Sequence, residues 1–377
     1  MRKLQGYHEI YIGCDPEFFF AKKGQVLGAE KILPEEGLIY KPGSDKKRDG
    51  DYTSKEATIS KIIIDGVQAE LNPRPNTCRA NLGNEISACF RKLYTQIKEN
   101  KSLQVEFSQV KEVSKKELDS LSEKARVFGC TPSRNTYSKE ENKITVNPAT
   151  YKYRSAGGHI HLGYRSGGEI KEALLEKRDR VVQMLDIVLG NTCVLIDRDP
   201  YAAERRKVYG RAGDYRAPSY GIEYRTLSNF WLKSYQLMGL VTGLARMAVE
   251  IVAYSENGCD YEKAILNKVN MKKIVEAINN NDFNSAYENH MKIEGILLEI
   301  LPTYSDYYPI SSETIEEFHH FLNGDLGHWF KEDPFQHWIH LPEGHGTGWE
   351  SYLKNDVRKD MVAHKLNEDK ALAYWAE

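Results

Sequence analysis

The sequence predicts an α+β fold, an antiparallel β-sheet followed by a mainly helical last third. Three observations carry this expectation. Strand signals dominate up to about residue 230 and helical periodicity dominates after it. An Asp-Gly dipeptide separates two β-prone runs between Ile62 and Leu71. Apolar residues recur at spacings of three and four over several longer stretches.

Taken in order, Gly13-Cys14-Asp15-Pro16-Glu17-Phe18-Phe19-Phe20 is strand-like. Residues 62–71 form a hairpin, because Gly66 tolerates the positive φ of a tight turn. Over residues 79–100, Leu82, Ile86, Phe90, Leu93 and Ile97 mark one face of a helix that Asn76 or Thr77 can cap. The polar tract 139–143 reads as a mobile loop, and Cys130-Thr131-Pro132 as a turn. A second helix is expected from about residue 169 to 189, with Ile170, Leu174, Val181, Leu185 and Val188 as its stripe and Gly190 as its stop. Residues 232–254 read as one long, mostly buried helix, and 262–279, 285–300 and 313–322 as shorter amphipathic ones. No Pro/Gly/Ser-rich linker separates the halves, so the expected organisation is a sheet-bearing unit over 1–254 with a helical region over 255–377 packed against it.

Composition narrows the function classes. Of 377 residues, 41% are hydrophobic and 28% charged, enough for one large core or two moderate ones. Lys and Arg total 52 against 54 Asp and Glu, and a net charge of −2 supplies no global drive toward nucleic acid or anionic lipid. The apolar stretch 234–245, bounded by Lys233 and Arg246, is too short to cross a hydrocarbon layer of about 30 Å, so no membrane span is expected. The first nine residues contain no apolar run of a secretory signal, which predicts a cytoplasmic protein. Cys14, Cys78, Cys89, Cys130, Cys193 and Cys259 are scattered without a C-x-x-C pair and read as buried thiols. His328, His337, His340 and His345 have no cysteine partners and are interleaved with Trp329, Trp338 and Trp349, which argues against a zinc tract.

The informative pattern is polar residues two apart on strand-like segments, whose side chains leave one face. It occurs as Asp15 and Glu17; as Gln68, Glu70 and Asn72; as His159 and His161 after Gly157-Gly158; and as Glu223 and Arg225. On one sheet, these strands would collect carboxylates, imidazoles and an arginine on one concave face. Mg²⁺ and Mn²⁺ prefer oxygen ligands, Mn²⁺ also accepts imidazole, and an arginine fork neutralises phosphoryl oxygens. Arg211 and Arg216, in Tyr209-Gly210-Arg211-Ala212-Gly213-Asp214-Tyr215-Arg216, add further positive charge. The plainer alternative is the solvated face of a half-covered sheet, with Glu223 and Arg225 as an ion pair and His159 as a core histidine. Pro16 between two carboxylates and a Gly-Gly before the histidines are poor choices for such a strand.

These residues resemble a known superfamily. Gly13-Cys14-Asp15-Pro16-Glu17-Phe18-Phe19 is similar to the Glu-Pro-Glu-Phe-Phe strand of glutamine synthetases, Gly157-Gly158-His159-Ile160-His161 to their Gly-Ser-Gly-Met-His strand, and Glu223-Tyr224-Arg225 to their late Glu-x-Arg, in the same order. Asp65-Gly66-x-x-x-Glu70-Leu71-Asn72-Pro73 and Tyr209-Gly210-x-Ala212-Gly213-x-Tyr215-Arg216 bring the chain nearest to the phage-encoded COOH·NH₂ ligase (type 2) family, a branch of the carboxylate–amine ligases. The resemblance implies a glutamine synthetase-like catalytic domain whose sheet holds two or three Mg²⁺ or Mn²⁺ ions on its concave face, with helices on the other side. ATP would enter from one end and the acyl substrate from the other. By position, Glu17 and Glu70 would ligate one metal, and Asp15, His159 and Glu223 the metal nearer the ATP phosphates. Arg225 with Arg216 or Arg211 would hold the transferring phosphoryl group beside Glu223, and His161 would join Arg225 and Arg216 at the nucleotide. Two departures stand out: Asp15 replaces a glutamate, and the Glu70 strand carries one obvious carboxylate where that family has two.

The expected activity is ATP-dependent joining of a small-molecule or peptide carboxylate to an amine, through an acyl phosphate. The expected setting is the cytoplasm, that of the host if the protein is phage-encoded, with no nucleic-acid or membrane partner and the oligomeric state open. Two rivals are a metal-dependent hydrolase built on His159 and His161, and a non-catalytic binder of nucleotide or peptide.

Overall fold

The computed structural model describes residues 9–40, 59–77, 79–127, 133–138, 141–142, 146–147, 151–165, 167–197, 199–255, 261–305 and 330–341. Its strands, in chain order, are β1 (Ile10–Cys14), β2 (Glu17–Lys22), β3 (Gln25–Leu27), β4 (Leu38–Tyr40), β5 (Ser60–Asp65), β6 (Gln68–Asn72), β7 (Leu103–Glu106), β8 (Val110–Glu112), β9 (Ser133–Asn135), β10 (Glu141–Asn142), β11 (Tyr153–Ser155), β12 (Ile160–Tyr164), β13 (Asp214–Arg216) and β14 (Gly221–Tyr224). All pairings among them are antiparallel. The α+β class with an antiparallel sheet is therefore as the sequence indicates.

The expectation of a single sheet needs correction. One sheet runs β1-β12-β14-β13-β9-β10, and a second runs β3-β2-β6-β5-β4 with β7 also on β2. The chain passes from the first to the second at Asp15-Pro16. Proline has no N–H to give to a ladder, so pairing along β1 stops there and resumes at Glu17 on different partners. The two sheets stay stitched at this point: the Glu17 N–H donates to Gly157 O (2.9 Å) and the Leu71 N–H to Pro16 O (3.0 Å).

Alternation places Ile10, Ile12, Ile160, Leu162, Ile222 and Tyr224 on the buried face of the first sheet. Against this face pack α1 (Arg79–Ile97) and, after the short α2 (Lys115–Asp119) and α3 (Glu123–Arg126), α4 (Glu169–Leu175), α5 (Arg178–Leu185) and α8 (Tyr235–Ala253). Helix α8 is capped by the Ser234 hydroxyl, which accepts from Leu237 N, and every residue but Gly243 is buried. At 19 residues it is long and apolar enough to cross a bilayer, beyond the 234–245 segment weighed from sequence, yet it lies inside the protein. It continues past Arg246 because that buried guanidinium reaches Thr77 O at 2.6 Å.

Other helices differ from expectation in instructive ways. The predicted 169–189 helix breaks between α4 and α5, then runs through a π-helical turn, Asp186–Gly190, into α6 (Asn191–Ile196). Gly190 does not stop it. A Cβ there would lie 2.5 Å from the Tyr224 hydroxyl, so this glycine serves close approach of helix and sheet. After α7 (Ala202–Val208), the predicted 262–279 helix is two, α9 (Tyr261–Leu266) and α10 (Met271–Asn280), the second started by Asn270, whose side chain accepts from Lys272 N and Lys273 N. The 285–300 helix extends to Phe283–Ser305 as α11. The short helix Pro334–Ile339 buries Trp338 beside Phe90 and Tyr235, with its indole N–H donating to Leu232 O at 2.6 Å. Within it, His337 accepts the Tyr235 N–H. The expected helix 313–322, the 130–132 turn, His328 and His345 lie outside the described residues, as does most of the 139–143 loop, of which 141–142 pair with β9.

Candidate active site

Asp15 occupies the junction between the two sheets, and its neighbours come from β12 and β14. His161 is in register with Gly13 on one side and Glu223 on the other. Asp15 Oδ1 lies 2.9 Å from His159 Nδ1, and Asp15 Oδ2 lies 3.1 Å from His161 Nε2. Glu223 Oε1 lies 3.8 Å from His159 Nδ1. The glycines before His159 are steric requirements: a Cβ on Gly158 would fall 2.2 Å from Ser228 O, and one on Gly157 2.5 Å from the His159 ring.

A second acidic group forms where β2 meets the hairpin. Glu17 pairs with Glu70, and Asp65 with Gln68, so Glu17, Asp65 and Glu70 bring carboxylate oxygens within 4.8 Å of one another. Glu17 Oε2 accepts from Gly157 N (2.8 Å) and Gln68 Nε2 (3.3 Å), and Glu70 accepts from Asn72 Nδ2 at 2.7 Å. Asp65, read from the sequence as turn chemistry and as part of the Asp-Gly-x-x-x-Glu motif, was not assigned as a ligand. A signal existed: in a two-residue hairpin the positions flanking the turn pair directly, so Asp65 shares the face of Gln68 and Glu70.

Electrostatics set the two groups apart. Burial would raise the Asp15 pKa, but the two imidazoles beside it hold it well below the usual carboxylate range. Burial, then the charges of Asp65 and Asp15, push Glu17 up to about 8, and the same causes, with Glu17 added, push Glu70 well above its ordinary value. Burial lowers the His159 pKa, whereas for His161 the nearby Asp15 outweighs burial and raises it well.

The arginines divide. Arg216 NH1 and Arg225 Nε each lie 3.2 Å from a different oxygen of Glu223. The Arg225 side chain is only 2% exposed and also donates to the Tyr209 hydroxyl at 2.8 Å, while that of Arg216 is 32% exposed. Arg211 is not brought to this cluster. Its guanidinium donates to Arg206 O (3.1 Å) and Lys207 O (2.9 Å), closing the C-terminal end of α7. Tyr209, Tyr220 and Arg205 were also missed. Tyr209 contacts His159 Nε2, the Tyr220 hydroxyl lies 2.5 Å from His161 Nδ1, and buried Arg205 bonds Thr226 O and Leu227 O while stacking over Tyr209. Tyr209 stood in the quoted Tyr-Gly-x-Ala-Gly-x-Tyr-Arg motif without a role, while spacing did not mark Arg205 and Tyr220, whose partners lie on other segments.

The donor sets fit divalent cations. Asp15 Oδ1, His159 Nδ1, His161 Nε2 and Glu223 Oε1 are buried and, among the described residues, in no aligned hydrogen bond, with both imidazoles against Asp15 and His159 Nδ1 also 3.8 Å from Glu223 Oε1. The geometric triples are Asp15, His161 and Glu223, and Glu17, Asp65 and Glu70. Oxygen-rich sets with imidazole suit Mg²⁺ or Mn²⁺.

Residues 137–293 match the family model described as phage phiEco32-like COOH.NH2 ligase-type 2, which bears out the suspected ligase family over the span that holds the His159, Tyr209–Arg216 and Glu223 motifs. No curated protein matches the chain. Among solved structures, the chain is similar to a bifunctional glutathione synthetase from Pasteurella multocida, at 11% identity and a TM-score of 0.46, over 98% of this chain and 52% of that one. It thus spans about half the length of that protein.

Proposed function

We propose, on the premise that residues 137–293 are those of a type 2 carboxylate–amine ligase, that the chain is an ATP-dependent ligase with a glutamine synthetase-like catalytic unit over residues 1–254. The observation that carries this reading is the pair of adjacent acidic centres meeting at Asp15-Pro16, with Arg216 held at their edge by Glu223.

The carboxylate oxygen of the acid attacks the γ-phosphorus of ATP, the bond to the β-phosphate oxygen breaks, and ADP leaves. The amine nitrogen then attacks the acyl carbon, phosphate departs with its oxygen, and the amine loses a proton. Catalysis of both steps is mainly positioning and charge neutralisation. Glu17, Asp65 and Glu70 would hold one divalent cation, and Asp15, His159, His161 and Glu223 another, supplying positive charge beside the phosphates. Arg216 is exposed enough to meet the transferring phosphoryl group. Arg225 is spanned by Glu223 and Tyr209 and keeps that wall rigid. The Arg211 fork is occupied at the end of α7, so it has no part in this scheme.

The test is ADP release against a panel of small and peptide carboxylates, with hydroxylamine as the acceptor. Hydroxamate formed in step with ADP supports an acyl phosphate. Nucleotide binding without ADP release across the panel would instead indicate a non-catalytic binder, and substrate cleavage without ATP a hydrolase.

A further inference from the structure

His159 and His161 meet Asp15 through different ring nitrogens, Nδ1 for His159 and Nε2 for His161. The opposite nitrogen of each ring touches a tyrosine hydroxyl: Tyr209 at His159 Nε2 and Tyr220 at His161 Nδ1. From this arrangement we infer that Tyr209 and Tyr220 are positioning residues that hold the two imidazoles in opposite tautomers, so that both turn a lone pair to one cation beside Asp15. The inference rests on the metal reading of the ligase site.

A neutral imidazole carries one N–H and one lone pair, and the partner of one nitrogen decides the role of the other. At each histidine the nitrogen facing Asp15 is close to a carboxylate oxygen but, among the described residues, in no aligned hydrogen bond. The nitrogen facing away is the one with a hydroxyl partner. Placing the N–H on the tyrosine side satisfies both nitrogens once a cation sits between the rings and the carboxylate. Such outer partners typically change metal affinity about 10–100-fold.

Tyr209 has side-chain contacts of its own, and Tyr220, 42% exposed, is carried on a braced turn. The guanidiniums of Arg205 and Arg225 each lie 5.0 Å from the centroid of the Tyr209 ring, and Arg225 donates to its hydroxyl at 2.8 Å. Tyr220 stacks on His161 at 6.0 Å between centroids. Its turn is fixed by Arg178, which donates to Gly221 O (3.1 Å) and Pro218 O (3.3 Å). Gly221, at φ 149°, brings that turn so close to β12 that a Cβ would lie 2.1 Å from Leu162 O. The hydroxyls are therefore presented by built structure.

The experiment uses Mn²⁺ alone, titrated into the full chain and followed by the electron paramagnetic resonance of the free ion, with circular dichroism as the check on folding. Tyr220→Phe and Tyr209→Phe keep the rings and remove only the hydroxyls, and each should weaken Mn²⁺ about 10–100-fold. The two amide replacements separate the tautomers. An asparagine amide reaches roughly where Nδ1 lies, and a glutamine amide where Nε2 lies. His159→Asn should bind Mn²⁺ better than His159→Gln, and His161→Gln better than His161→Asn. Folded Tyr→Phe variants with wild-type affinity, or the same amide preference at both histidines, would overturn the inference and leave the metal reading standing. A wild-type chain that takes up no Mn²⁺ removes the metal reading and the inference with it.

Discussion

Glu17 shows how a single side chain can be costly for the empty protein and useful for the loaded one. Burial first, and then repulsion from the nearby carboxylates of Asp65 and Asp15, push Glu17 up to about 8. Glu17→Gln keeps the volume and the acceptor for Gly157 N while removing one charge. We expect ADP release to fall by about 10²-fold or more, with the metal-free variant melting no lower than wild type. A parallel loss of fold and activity would make Glu17 a structural residue. The arginines are separable in the same way. Arg216→Lys keeps the charge of a partly exposed group but loses its fork, so turnover should drop about 10²–10³-fold with stability within about 0.5 kcal/mol. Arg225→Lys leaves two buried partners, Glu223 and Tyr209, without a bidentate neighbour and should lower the melting temperature as well. Near-normal turnover in Arg216→Lys would remove Arg216 from the phosphoryl site.

On the scale of elements, helix α8 carries a charge cost of its own. Glu250 is fully buried, neither of its oxygens has a hydrogen-bond partner among the described residues, and burial pushes its pKa up from 4.5 to about 8. Between those two values the folded chain keeps a proton that the unfolded chain releases, so stability falls as pH rises through this window. The slope for one group is at most about 1.4 kcal/mol per pH unit. His337 acts on the other side: burial lowers its pKa to about 4, and the stability it confers is lost as pH falls from 6.5 toward that value. Glu250→Gln should flatten denaturation midpoints measured across pH 5 to 8. An unchanged slope would mean that other groups carry it. The β1–β2 junction illustrates the opposite use of an element end, since Pro16 terminates one ladder and thereby frees Asp15 to face strands it does not pair with.

For the whole molecule, a ligand that binds only the folded state adds RT ln(1 + [L]/Kd), about 2.7 kcal/mol at a hundredfold excess over Kd. Mg²⁺ or Mn²⁺ should therefore raise the melting temperature, and EDTA should reverse the gain. A chelator selective for zinc should leave both stability and ADP release unchanged, because oxygen-rich sites favour hard cations. Activity restored by Zn²⁺ alone would favour the hydrolase reading.

The residues whose chemistry depends on local spacing were legible in the sequence. Alternation alone placed Glu17, Glu70, His161 and Glu223 on strand faces, with His159 just ahead of β12, the Asp-Gly turn located the hairpin, and the three-and-four spacing located α1, α8 and α11. The amino-acid sequence by itself determined the α+β class, the family resemblance and most of the charged groups of the site. The tertiary structure decided how those groups meet. It divided the expected sheet in two at Pro16, because a ladder cannot run through a residue without an N–H. It brought Asp65 into the acidic group through hairpin register, drew Arg211 away to the end of α7, and set Tyr209 and Tyr220 against the histidines from segments 50 and 59 residues away. A local pattern records which face a side chain leaves by, whereas long-range partners depend on packing between segments far apart in the chain.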